Sequence, residues 1–130
     1  MTTPTVFISH SFSDENWVRE FGQSLTHHGW NVWPDHHAIQ VGNSWREAME
    51  KRLRESSIII LLVTPDTVGK PNLFFEIGAA IGMGKPVIPV ISRNLDPSLL
   101  PPTLRERKYL IQSTPEATAQ EFISQAMISG

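Results

Sequence analysis

Apolar residues fall into two rhythms along this chain, short unbroken runs of β-branched residues and stripes that recur every three or four positions. Ile58-Ile59-Ile60-Leu61-Leu62-Val63 has no polar gap, the pattern of a strand covered on both faces by crossover helices. Val87-Ile88-Pro89-Val90-Ile91 repeats it. Between the two runs, Pro71 suits the first position of a helix and Gly84 the position just past its end, predicting roughly four helical turns. Upstream, Val6-Phe7-Ile8 predicts a strand within Pro4 to Ser9, followed by the polar loop Ser9 to Asp14. Ser13 is expected to cap a helix with Trp17, Val18, Phe21 and Leu25 on one stripe, closed by His27-His28-Gly29. Trp30-Asn31-Val32-Trp33 reads as a second strand. Ser44 is expected to cap a helix with Trp45, Ala48, Met49 and Leu53 on its apolar face. Past Pro101-Pro102, Tyr109-Leu110-Ile111 predicts a short last strand. Thr114 then caps a helix from Pro115 with Ala119, Phe122, Ile123, Ala126 and Met127 inward.

Strands alternating with helices over this length predict an α/β fold: a flavodoxin-like open parallel sheet of five strands, order 2-1-3-4-5, with helices on both faces. In that arrangement the strand order reverses between strands one and three, and ligands of such sheets bind outside the carboxyl ends at that point. The loops leaving those strands are Ser9 to Asp14 and Thr64 to Lys70. The segment Pro34 to Asn43 is long for a connection in such a domain, which points to a function of its own.

Composition narrows the classes. The chain has 130 residues, enough for one domain with a sizeable core, and the expectation is a single domain over residues 1–130, alone or at the start of a longer chain. Eleven Lys and Arg against 13 Asp and Glu leave a net charge of −2 with no basic run, which disfavours a nucleic-acid partner. The chain has no cysteine, so disulfides, thiolate nucleophiles and zinc–thiolate sites are excluded. No apolar run approaches the roughly 20 residues that span a bilayer. No membrane partner and a cytoplasmic location are therefore expected. His10, His27, His28, His36 and His37 show no metal-binding spacing, so no metal site is expected.

The candidate chemistry lies in the helix between the two apolar runs. From Pro71 to Gly84 the only ionisable residue is Glu76. A lone carboxylate there either faces a cleft, or else sits on the helix's exposed side or pairs with a basic residue such as Lys85 or Arg93; the pattern by itself leaves these readings open. Gly78 and Gly82, at i and i+4, are expected to let the helix approach the sheet closely. Ser9 and Ser11 stand at the start of the first helix, but the loop carries no glycine and neither common phosphate-binding pattern.

Val6-Phe7-Ile8-Ser9-His10-Ser11, the loop Asp35…Ile39…Gly42…Trp45, and Phe75-Glu76-Ile77 resemble the successive boxes of a Toll/interleukin-1 receptor (TIR) domain over essentially the whole chain. The likeness is greatest to the bacterial branch. Many of its members cleave NAD+ at the nicotinamide–ribose bond to ADP-ribose or its cyclic isomers, often in antiphage defence, while others act only as adaptors. The resemblance implies that Glu76 is catalytic and that NAD+ is a substrate, with no separate cofactor. It further implies substrate contacts from Ser9, His10, Ser11, Phe12, Trp45, Asn72 and Phe75, and self-association through a loop bearing Asp35, Ile39, Val41 and Gly42. Asn72 stands where the family's enzymes commonly carry Trp, so the aromatic wall is expected from Phe12, Trp45 or Phe75. A single carboxylate suits the reaction, because nicotinamide leaves NAD+ as a neutral molecule without a proton donor, unlike the two-carboxylate chemistry of ordinary glycosidases. Two alternatives remain open. One is a non-enzymatic TIR–TIR interaction module. The other is an enzyme like nucleoside deoxyribosyltransferase, whose Glu-x-Gly-x-Ala-x-x-x-Gly-Lys-Pro setting is similar to Glu76 through Pro86.

Overall fold

Five parallel strands, β1 (Thr5–Ser9), β2 (Asn31–Val32), β3 (Ile58–Val63), β4 (Val87–Ile91) and β5 (Leu110–Ile111), form one sheet in the order β2-β1-β3-β4-β5. The computed structural model describes residues 4–10, 12–32, 45–68 and 71–129. Helices α1 (Glu15–His27), α2 (Trp45–Glu55), α3 (Pro71–Gly82), α4 (Pro102–Arg105) and α5 (Pro115–Ser129) connect or follow the strands.

The unbroken apolar run of β3 is explained by its two covers. Ile59, Leu61 and Val63 join Phe7 of β1, Leu53 of α2, and Ile77 and Ala80 of α3 in one core layer. Ile60 and Leu62 point the other way, into a layer with Val6 and Ile8 of β1, Val18, Phe21 and Leu25 of α1, and Ala119 and Phe122 of α5. Each strand residue faces a helix, so no position of β3 can be polar without leaving an unpaired group in one layer or the other.

The helix ends follow the expected glycines. Gly29 and Gly84 adopt φ of +89° and +72°. Gly29 N–H donates to Thr26 and Trp30 N–H to Leu25, while Gly84 N–H donates to Ile81 and Lys85 N–H to Ala80, the paired bonds that stop a helix on a left-handed residue. At the start of α5, Thr114 Oγ1 accepts from Ala117 N–H at 3.1 Å, the predicted cap.

Other expectations need correction. Ser13 does not cap α1: a 3-10 turn, Phe12–Asp14, leads into it, and Asp14 takes the cap position without a side-chain cap bond. The 3-10 turn that leads into the helix moves the cap position one residue on, from Ser13 to Asp14. Strand β2 begins at Asn31 rather than Trp30, with Trp33 outside the described residues, and Tyr109 stands just before β5. Gly78 and Gly82 do not draw α3 onto the sheet: both are exposed, and a Cβ added at either would meet nothing within 4 Å. Ile77 and Ala80 make the close contact instead. Ser44 and the long segment 34–43 lie outside the described residues.

Candidate functional site

Strand order reverses between β1 and β3, and at their carboxyl ends the two strands are unequal. Ser9, the last residue of β1, is in register with Leu61, so Leu62 and Val63 extend β3 beyond it. Alternation along β1 puts Ser9 on the same face as Phe7, and Phe7 belongs to the layer that α2 and α3 cover. The half-buried Ser9 therefore ends its strand on the α3 side of the sheet. The neighbouring His10 folds back, its Nδ1 donating to the Ile8 carbonyl at 3.2 Å, which assigns the proton to that nitrogen.

Helix α3 leaves this same edge. Glu76 is its sixth residue and so lies in the second turn, roughly 8 Å along the axis from Pro71 at a rise of 1.5 Å per residue. It precedes the buried Ile77 by one residue and the buried Ala80 by one turn. Asn72 and Phe75 lie in the same first turns of α3, Phe12 lies in the 3-10 turn before α1, and Trp45 opens α2. The side chains of these five residues, Ser11 as a whole, and Asp35, Ile39, Val41 and Gly42 of the expected assembly loop lie outside what is described.

Hydroxyl residues that sequence reasoning passed over also stand at the carboxyl ends. Thr64 follows β3 and Ser92 follows β4, and both are buried. Thr67 Oγ1 accepts from Thr64 N–H at 2.9 Å, and the Thr64 carbonyl accepts from the N–H groups of Thr67 and Val68, both at 3.0 Å. Ser92 N–H donates to the Val63 carbonyl at 2.9 Å, and Ser92 Oγ accepts from Asn94 N–H at 3.3 Å. The readable signal was the first polar residue after each apolar run. Further along the edge, Arg93 Nε donates to the Gln112 carbonyl at 2.9 Å, so this cation binds the end of β5.

A carboxylate-bearing helix turn next to hydroxyl-bearing strand ends provides groups suited to hold ribose hydroxyls and to stabilise a developing positive charge. The opposite edge is different. A shallow depression of about 300 Å³, lined by Pro86, Val87, Ile88, Arg107, Lys108, Leu110 and Gln125, opens at the amino ends of β4 and β5, away from the start of α3. Among the described residues no cluster of three or more His, Asp or Glu could hold a metal ion, and no helix is long and apolar enough to cross a membrane.

Comparison with known proteins agrees with the topology. A 2′ cyclic ADP-D-ribose synthase of Acinetobacter baumannii, AbTIR, is 31% identical over 77 residues, which are 58% of this chain and 29% of that protein. A second such synthase, BtTIR of Bacteroides thetaiotaomicron, is 28% identical over 76 residues, 58% of this chain and 26% of the relative. The chain thus spans less than a third of the length of either relative. The TIR domain of the Toll-related receptor TRR-2 from Hydra magnipapillata superposes with a TM-score of 0.72 at 18% identity, over 95% of this chain and 94% of that one. The model of the TIR domain family matches residues 6–125. With that match over nearly its whole length, and with the sheet order and switch point described above, the chain belongs to the TIR domain family.

Proposed function

We propose that this domain cleaves NAD+ between nicotinamide and ribose, with Glu76 as the catalytic carboxylate and a cyclic ADP-ribose isomer as a product, as in the names of the bacterial relatives. The observation that carries the reading is the position of Glu76. It is the only ionisable residue from Pro71 to Gly84, in the second turn of the helix that leaves the β1–β3 crevice. Nicotinamide departs as a neutral leaving group, so no general acid is needed. One anion beside the oxocarbenium-like ribose, or gripping its hydroxyls, supplies the stabilisation. Ser9, His10, Ser11, Phe12, Trp45, Asn72 and Phe75 are the proposed substrate contacts, of which Ser9 ends its strand on the α3 face. Asn72 leaves the site short of an aromatic wall, and self-association through Asp35, Ile39, Val41 and Gly42 completes the pocket in this reading. It places the protein in the cytoplasm, where NAD+ is available, as a signalling enzyme of bacterial defence.

The run Glu76-Ile77-Gly78-Ala79-Ala80-Ile81-Gly82-Met83-Gly84-Lys85-Pro86 favours a second reading, base exchange on a deoxynucleoside. One experiment separates the two. The purified protein is incubated at rising concentration with NAD+, and in parallel with a deoxynucleoside plus a free base, and products are resolved by chromatography. Nicotinamide release whose specific rate climbs with protein concentration is the expected result. Base exchange with NAD+ left intact at every concentration would overturn the first reading in favour of the second.

A further inference from the structure

The connection between β3 and α3 is closed by one side chain. Thr64 is buried, and it follows a strand that has outrun β1, so its N–H has no strand partner on that side. Thr67 supplies one: its Oγ1 accepts the Thr64 N–H at 2.9 Å and lies 3.3 Å from the Thr64 carbonyl and 3.4 Å from Thr64 Oγ1, either of which can take the hydroxyl proton. The Thr64 carbonyl also accepts from Thr67 and Val68 N–H, both at 3.0 Å, so residues 64–68 form a turn closed on both backbone polar groups of Thr64. On the other side, Ser92 N–H holds the Val63 carbonyl at 2.9 Å and anchors the start of the turn to β4. Only residues 69 and 70 separate this turn from Pro71, the first residue of α3. The apolar side of the same connection is fixed as well, with Val68 packed against the layer that holds Ile77 and Ala80.

We infer that Thr67 is a positioning residue for Glu76: its hydroxyl closes the turn that sets where α3 leaves the sheet, and so where the second-turn carboxylate stands relative to the substrate. The inference deepens the proposed NAD+ cleavage and rests on it. Displacing a reacting group by about 1 Å can lower a rate by about 100-fold, so the closed turn has a kinetic consequence beyond stability.

The test compares Thr67→Val, which keeps the shape and loses the hydroxyl, with Thr67→Ser, which keeps the hydroxyl and loses a methyl. Both are assayed on NAD+ at a temperature where circular dichroism shows each variant folded, and amide hydrogen exchange is followed for Thr64, Val68 and the α3 amides. Thr67→Val is expected to lower kcat roughly 10- to 100-fold with KM changed less than about twofold, while Thr67→Ser stays within about threefold of the parent. Exchange should quicken at Thr64 and Val68 and in the first turns of α3 in the valine variant alone. Parental kcat in Thr67→Val, or equal loss in both variants, would overturn the inference. If the parent protein releases no nicotinamide at any concentration, the proposed function fails separately. The inference is then decided by exchange, and unchanged α3 protection in Thr67→Val refutes it.

Discussion

Ser9 stops β1 in register with Leu61, two residues before β3 itself ends. The shortfall opens the sheet at the point where strand order reverses, and the Ser9 side of the opening is the one α3 covers. A hydroxyl there can hold a ribose hydroxyl or a phosphate oxygen without carrying charge into the crevice. Ser9→Ala should therefore raise KM for NAD+ by roughly 5- to 30-fold, the effect of losing one hydrogen bond of about 1 to 2 kcal/mol. Michaelis–Menten kinetics check it, and a KM within error of the parent's would take Ser9 out of the site.

Glu76→Gln keeps the size of the side chain and removes its charge. Because one preorganised electrostatic group is commonly worth about 100- to 1000-fold in rate, nicotinamide release should fall by at least about 100-fold. The melting temperature should move by no more than a few degrees, since the only ionisable group of α3 has no charged neighbour within its own helix to lose. Turnover retained in this variant would remove Glu76 from the mechanism.

The sheet order was legible in the sequence because every strand of a doubly covered parallel sheet must be apolar on both faces, and β3 and β4 carry that demand as unbroken runs. The glycine-stopped helices were legible for a similar reason: Gly29 and Gly84 sit at left-handed positions that other residues rarely adopt. What misled was local. Gly78 and Gly82 share a helical stripe, but a stripe only says that two residues lie on one side, and burial of Ile77 and Ala80 turned that side outward. The Thr64–Thr67 turn could not be read, because an i to i+3 hydroxyl bond leaves no periodic mark and Thr67 is an ordinary loop residue by composition.

Gly82→Ala should stabilise the domain. The site is helical, exposed and open around an added Cβ, so the change trades backbone freedom in the unfolded chain for none lost in the fold. A gain of about 0.5 to 1 kcal/mol is expected in urea unfolding with the slope unchanged. A loss of stability would mean that the glycine serves a contact made only in an assembly.

Asp96 caps the 3-10 turn Pro97–Leu99, its Oδ1 accepting from Ser98 N–H at 3.0 Å. That backbone bond, joined by one from the Ser98 side chain, holds the carboxyl below its ordinary 3.8. A lowered carboxyl favours the folded state while ionised, so the contribution is full at neutral pH and disappears as pH falls through the lowered value. The Ser98 amide shift followed by NMR should titrate with a midpoint below 3.8. A midpoint at or above it would show that the cap does not form in solution.

Trp17 ties the first helix to the far end of the sheet, and this tie is the last prediction. Its Nε1 donates to the Ser113 carbonyl at 2.9 Å, across 96 residues of chain, while its ring stacks on Phe21 with centroids 5.1 Å apart. Ser113 stands between β5 and α5, and Ser113 N–H donates to the Oγ1 of buried Thr118 at 3.0 Å, so one short segment receives α1 through its carbonyl and α5 through its amide. Trp17→Phe keeps an aromatic ring on Phe21 but deletes the indole donor together with one of the two fused rings. The loss should be about 1 to 2 kcal/mol, the Ser113 carbonyl being half-buried and able to regain part of its bonding from water. Trp17→Ala removes the ring as well and should lose about 3 kcal/mol or more. Chemical unfolding of the two variants checks the partition. Equal losses would assign the whole effect to the hydrogen bond, and a phenylalanine variant as stable as the parent would assign it to packing alone.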